Sequence, residues 1–190
     1  MTDPVERPPG NQRGESEEWP VRESVTEYET GWYDGGYDRV EQPDGSEKRY
    51  YWAALPPAVI IVAIEGDSIL FVEQYRPTIR EHCLELPAGI VENGEDYDEA
   101  ARRELEEETG RVPETTRVLQ RIDVATGVLR HERGIVLATD LGGGTRRLDD
   151  NEFLSIRQVP RDEAIELARA EPANDATLEG LLLAEHEGLL

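Results

Sequence analysis

Between Gly89 and Arg111 the chain reads GIVENGEDYDEAARRELEEETGR, and this stretch constrains the fold more than any other. Ala101 and Leu105 lie four residues apart, so they share one face of a helix. Asp96 and Asp98 stand where that helix begins, and the helix dipole favours acids there. Gly110 is placed to end it in the left-handed conformation. The helix so bounded carries Glu104, Glu107 and Glu108 together, because residues three and four apart are helical neighbours. Like charges at that spacing cost about 0.2–0.5 kcal/mol per pair. A hard divalent cation, which takes carboxylate oxygens, would offset the repulsion. A solvated acidic face on an acidic protein is the plain alternative. Arg103, four residues before Glu107, is placed to pair with it.

Spacing separates these two readings. Gly89, five residues, Glu95, seven residues and then Arg103-Glu104-Leu105-Glu106-Glu107-Glu108-Thr109-Gly110 resembles the Nudix box, the signature of hydrolases that cleave nucleoside diphosphates linked to another group. An acidic composition supplies glutamates, but it does not place Gly89, Glu95, Arg103 and Gly110 around them. One position departs: the box closes on an aliphatic residue, and here stands Arg111, followed by Val112. The resemblance implies an α/β fold, an α/β/α sandwich with a mixed sheet. It also implies that Glu104 and Glu108 are the principal ligands of Mg²⁺, with Mn²⁺ as the substitute. Glu107 would be a further ligand or a local base, and the backbone carbonyl of Ala88 another ligand. Glycine at position 89 suits a close approach of backbone to metal. Arg103 orients the carboxylates in the family, and Glu95 is expected to brace the loop before the helix.

The flanks narrow the resemblance. Glu73-Gln74-Tyr75-Arg76, followed by Leu84-Glu85-Leu86-Pro87-Ala88-Gly89, is similar to the ADP-ribose pyrophosphatase branch. There the arginine matching Arg76 contacts the diphosphate, which a guanidinium binds well as a bidentate donor; a surface ion pair is the alternative. Glu85 resembles the family glutamate beside the metal. A loop past the box carries a catalytic or metal-binding glutamate in this branch. Asp149-Asp150-Asn151-Glu152 stands at the matching place, so Glu152 is the expected loop acid, with Asp150 second and a solvated loop as the rival. The downstream proline of ADP-ribose hydrolases is absent, Thr126-Gly127 standing in its segment. That leaves ADP-ribose as the first expected substrate and GDP-sugars or other nucleotide sugars as alternatives. A catalytically silent nucleotide-sensing domain is disfavoured, because the box glutamates are all present.

Elsewhere the chain offers mostly strands. Residues 1–20 are rich in Pro, Gly and charge without periodicity, and are expected to be disordered. From 21 to 55 come ETGWYDGGYDRVEQ and SEKRYYWAAL, joined by the turn signal Pro43-Asp44-Gly45, which predict a small antiparallel β unit. Residues 56–190 then form the main domain. Ala58–Ile64 is an unbroken, β-branched apolar run, as in a strand buried on both faces. Ile69–Val72, Arg117–Val124, Ile135–Thr139 and Phe153–Val159 are further strand candidates, with Gly142-Gly143-Gly144 expected as a loop. One helix is expected to start near Asp162 as its cap. Another follows Asn174-Asp175 and presents Leu178, Leu181, Leu182 and Ala184 to the core. Trp32, Tyr33 and Tyr37 offer rings that stack on a base, with sheet packing or a dimer interface as the alternative. Relatives in the branch dimerise through such a unit, so a homodimer is implied. His82, His131 and His186 do not cluster and read as structural or surface residues, a substrate contact of His131 staying open.

Charge limits the partners. The formal net charge is -22, from 42 acidic against 20 basic residues, and Lys48 is the one lysine. Such a field disfavours nucleic acid and anionic membrane. The acids are spread along the chain, which suits a high-salt cytoplasm where the Debye length falls to about 3 Å at 1 M. Cys83 is the single cysteine and reads as a small buried hydrophobe in a reducing setting. No run approaches the ~18 apolar residues of a membrane span, and the N-terminus lacks a basic-plus-apolar signal. A cytoplasmic protein acting on a nucleoside diphosphate-linked small molecule is the expectation.

Overall fold

The computed structural model describes residues 18–148 and 151–190. The chain divides into two units, one up to Ala53 and one from Ala54 onward. In the first unit β1 (Val21–Glu29), β2 (Asp34–Glu41) and β3 (Glu47–Ala54) lie side by side in that order, β1 antiparallel to β2. The Pro43-Asp44-Gly45 turn closes as its residues require: Gly45 takes φ 80°, and the Ser46 N–H donates to the Asp44 side chain at 2.9 Å. Trp32 and Tyr33 do not extend a strand. They sit in a turn whose N–H groups both donate to the Thr30 hydroxyl, at 3.1 and 2.8 Å, with Gly31 at φ 79°. Of the segment expected to be disordered, residues 1–17 lie outside the described residues. The Pro20 carbonyl accepts the Glu41 N–H at 3.0 Å.

The second unit runs β4 (Ala58–Glu65), β5 (Ser68–Arg76), β6 (Glu81–Glu85), β7 (Ala88–Ile90), α1 (Tyr97–Thr109), β8 (Arg111–Asp123), β9 (Leu129–Arg130), β10 (Glu132–Gly143), β11 (Leu154–Pro160), α2 (Arg161–Ala168) and α3 (Asp175–His186). Its sheet has the order β11-β5-β4-β10-β8, with β6 added to β5 and β7 to β4. Only β4 and β10 are parallel, Ala58 facing Arg133 through to Ala63 facing Ala138; the other pairings are antiparallel. The sheet is therefore mixed.

Strand β4 is the centre, and it is buried on both faces as its unbroken apolar run demands. Val59, Ile61 and Ala63 pack with Leu70, Tyr97, Ala100, Ala101 and Leu105, which is the α1 side. Ile60, Val62 and Ile64 pack with Phe71, Ala164, Ala168, Leu181 and Ala184, the side of α2 and α3. Alternate residues of one strand thus feed two cores, each full burial of an Ile, Val or Leu stabilising by about 1.5–3 kcal/mol. The result is the α/β/α sandwich that the resemblance implies.

Three local expectations are corrected. Gly142 and Gly143 belong to β10, because β8 already begins at Arg111 and offers them partners: Gly142 faces Val112 and Gly143 faces Arg111. Asp162 does not cap α2; Pro160 holds the cap position without a side-chain bond, and Asp162 lies in the first turn. Leu182 is exposed, since α3 turns Leu181 and Ala184 inward instead. Among the described residues no helix is long and apolar enough to cross a membrane.

Candidate active site

Helix α1 is fixed at both ends by its own sequence. Asp96 and Glu99 form a reciprocal capping box, the Glu99 N–H donating to Asp96 Oδ1 at 2.9 Å and the Asp96 N–H to Glu99 Oε2 at 3.0 Å. Gly110 ends the helix at φ 69°, its N–H donating to the Glu106 carbonyl. Ala101 and Leu105 are fully buried, and Glu104 and Glu108 ride on the same seam at 9% and 3% exposure. Glu107 lies further round and is half exposed.

Opposite that seam sits the chain from Leu86 to Gly89. Ala88 faces Ile60 in the β4–β7 pairing, and its N–H donates to Glu108 Oε2 at 3.2 Å. A Cβ on Gly89 would stand 1.9 Å from the Glu104 carboxyl carbon, so only glycine leaves that carboxylate its place. Burial pushes the Glu108 carboxyl up to about 8, and the neighbouring Glu104 charge adds to the push. Burial also raises Glu104, opposed by its bonds to Arg103.

Arg103 spends all five of its N–H donors on the protein. Nε and Nη2 donate to the two oxygens of Glu95 at 2.8 and 2.9 Å, and Nη2 also donates to the Ile90 carbonyl at 2.8 Å. Nη1 donates to Glu104 at 2.8 Å and to Glu107 at 3.1 Å. Glu95 in turn accepts the Glu92 N–H at 3.0 Å. Arg103 therefore orients the acids and braces the loop, with no donor left for a ligand.

The expected loop acid, Glu152, lies near enough for its charge to be felt by the box carboxylates. The charge of Glu152 favours the protonated forms of both Glu104 and Glu108, while the charge of Arg76 favours ionised Glu108. Asp149 and Asp150 lie outside the described residues. Arg76 donates to both oxygens of Glu85, Nη2 at 2.6 Å, and Gln74 donates to the same carboxylate at 2.8 Å. A cleft of about 630 Å³ opens beside these groups, lined by Glu73, Tyr75, His82, Glu152 and Phe153 among others. Its size falls in the range of small-molecule sites. Trp32 is in the first unit and is 67% exposed.

Two residues that pattern reading passed over also frame the site. Arg146 donates through Nε to the Glu108 carbonyl and through Nη2 to the Leu154 carbonyl, both at 2.6 Å, joining the end of α1 to the start of β11. Three glycines before it hid a residue whose value depends on where β10 ends. Thr177 of α3 accepts the Leu86 N–H at 3.1 Å across 91 residues of sequence. Arg111, the departure from the box, opens β8 and pairs with Glu65 at 2.6 Å, so an ion pair replaces an aliphatic contact. His131 meets the Pro56 carbonyl at 2.9 Å, and burial lowers its pKa. Buried Cys83 has its thiol pushed up by desolvation, which suits an inert hydrophobe.

The donor set fits a hard divalent cation. Two buried carboxylates, a half-exposed third and a backbone carbonyl all offer oxygen, and the missing Cβ of Gly89 lets the Glu104 carboxylate lie against the backbone next to Ala88. Among the described residues, no three acids, histidines or cysteines stand close enough together to hold an ion by themselves, so the backbone carbonyl and the ion's other ligands would have to complete the set.

Comparison with known proteins bears on the family. The NUDIX domain family matches residues 54–181. An ADP-ribose pyrophosphatase of Bacillus subtilis is 30% identical over 140 residues, which cover 72% of this chain and 76% of that one. A methanol dehydrogenase activator of Bacillus methanolicus is 32% identical over 142 residues, 73% of this chain and 77% of its own. A crystal structure of an ADP compounds hydrolase superposes with TM-score 0.83 over 94% of this chain and all of that one, at 22% identity, which shows the shared fold. On the family match, the box helix and these relatives together, the chain belongs to the NUDIX family.

Proposed function

We propose that the protein is a Mg²⁺-dependent hydrolase that cuts ADP-ribose with water into AMP and ribose 5-phosphate. The observation that carries this is the pair of buried carboxylates, Glu104 and Glu108, packed against the backbone of Ala88 and Gly89. Glu104, Glu108 and the Ala88 carbonyl would hold the ion, with Glu107 and Glu152 as further ligands. Bound there, it supplies charge neutralisation for the diphosphate and makes water easier to deprotonate; Mn²⁺ would serve in its place. Arg76 contacts the diphosphate, exchanging part of its bond to Glu85 for phosphate oxygens. Glu152 takes the proton of the attacking water, Glu107 being the other candidate for that role. Arg103 keeps Glu104 and Glu107 aimed while this happens. The bond from phosphorus to the bridging oxygen breaks, and that oxygen leaves on one of the two phosphate products.

A second reading, a GDP-sugar or other nucleotide-sugar pyrophosphatase, draws on the turn after β8. Thr126-Gly127 stands where ADP-ribose hydrolases carry proline, in a tight exposed turn in which Val128 and Leu129 both donate to the Ala125 carbonyl. A panel of ADP-ribose, other ADP-sugars and GDP-sugars at equal concentration with Mg²⁺ decides between them. The highest kcat/KM is expected on ADP-ribose; a preference for GDP-sugars would replace the first reading with the second. No turnover of any of them would remove both.

The charge pattern and the lone buried Cys83 support work in a saline, reducing cytoplasm. Trp32, Tyr28 and Tyr51, exposed on the first unit, support a homodimer. Trp32 is also the ring best placed by exposure to stack on a base. Sedimentation would read the dimer directly, a monomer at micromolar concentration in high salt counting against it.

A further inference from the structure

The segment Leu86-Pro87-Ala88 is pinned residue by residue from three directions. Ala88 N–H donates to Glu108 on α1 at 3.2 Å. Pro87 offers its carbonyl to the Ile61 N–H on β4 at 2.8 Å. Leu86 N–H donates to Thr177 Oγ1 on α3 at 3.1 Å. The first two bonds come from the box helix and the central strand. The third comes from the far end of the chain.

Thr177 is placed for this by its own helix start. Asn174 caps α3, its Oδ1 accepting the Thr177 N–H at 2.8 Å, which fixes the first turn and with it the hydroxyl. Thr177 is 2% exposed and Leu86 1%, so neither group has water as an alternative partner. One turn further on, Gly180 leaves room for the Leu86 side chain: a Cβ there would stand 2.7 Å from Leu86 Cδ1. The face of α3 that reads as core packing is therefore also a seat for Leu86.

We infer that Thr177 is a positioning residue for the metal site, latching Leu86 so that the Ala88 carbonyl is held toward the ion. The inference rests on the reading of Ala88 as a ligand. The bond acts two residues from that carbonyl, and Pro87 between them stiffens the link by fixing its own φ. Removing the hydroxyl leaves a buried N–H without a partner, and the segment relaxes to find one. Partners that orient ligands through a second bond change metal affinity by about 10–100-fold when lost. Serine keeps the hydroxyl and should keep the latch.

The test is titration of the full chain with Mg²⁺ alone, followed by calorimetry without substrate, together with amide exchange at Leu86. Thr177→Val is expected to weaken Mg²⁺ binding by about 10–100-fold and speed exchange at Leu86, while Thr177→Ser restores both. Ala184→Gly, which loosens α3 elsewhere, should lower thermal stability and leave Mg²⁺ affinity unchanged. If Thr177→Val does not fold, Thr177→Ala carries the same comparison. A folded variant without the hydroxyl that binds Mg²⁺ as the parent does overturns the latch and leaves the metal site standing. A parent chain that binds no Mg²⁺ overturns the metal reading itself, and the latch with it.

Discussion

Gly89 shows how much one position decides. Its missing Cβ is what allows the Glu104 carboxylate to lie against the backbone that carries Ala88, a Cβ there falling 1.9 Å from the carboxyl carbon. Gly89→Ala is expected to lower Mg²⁺-dependent turnover by about 10²-fold or more, an ion ligand being worth several kcal/mol at the transition state. Steady-state rates across a Mg²⁺ series check this. Glu95 gives a pH signature. Its hydrogen bonds from Arg103 hold the carboxyl below the ordinary glutamate range. A depressed folded pKa stabilises above the unfolded value, and the gain is lost as pH falls through the folded one. Glu95→Gln should therefore flatten the acid limb of a stability-versus-pH curve below the ordinary glutamate pKa, measured by urea unfolding; an unchanged limb would contradict the assignment. That Arg103, Glu104, Glu107 and Glu108 gather on one helix was legible from spacing, while the roles proposed for them come from the resemblance to the box. Arg146 and Thr177 were not, because each acts through a bond to a distant backbone group that no periodicity records.

At the scale of elements, the box helix was readable in full because every cue is local: the Asp96–Glu99 box, the buried Ala101 and Leu105, and Gly110 at positive φ. Removing the cap by Asp96→Ala should cost about 0.5–2 kcal/mol, and Asp96→Ser should recover most of it, as read by urea midpoint. Strand β4 was equally plain from its unbroken apolar run. Where the reading failed, the deciding contact was non-local. Gly142 and Gly143 look like a loop until β8 is known to start at Arg111 and pair with them. Asp162 looks like a cap until β11 is seen to stay paired with β5 as far as Pro160 facing Ser68, which starts the helix at Arg161. Leu182 fits the apolar stripe of α3, yet the rotation of the helix is set by Thr177 and Gly180 meeting Leu86, and that leaves Leu182 outside.

For the whole molecule, a net charge of -22 shapes the conditions more than the fold. Self-repulsion among exposed acids is screened as the Debye length shrinks from about 10 Å at 0.1 M salt to about 3 Å at 1 M. Thermal midpoint and activity should both rise with KCl over that range; a midpoint independent of salt would count against a saline setting. The same negative field would repel a diphosphate, so the proposed catalysis needs local positive charge, which the ion and Arg76 would supply. Fold and family followed from the sequence, while the proposed substrate rests on the turn after β8 and on a loop acid, where residue type alone carries less. The most direct measurement is ADP-ribose turnover by the parent chain and by Glu108→Gln, with Mg²⁺ and then with excess chelator. The parent should release AMP and ribose 5-phosphate only with the ion present, and Glu108→Gln should lose about 10²–10³-fold in rate while staying folded. Turnover that survives the chelator, or a Glu108→Gln variant as active as the parent, would contradict the account.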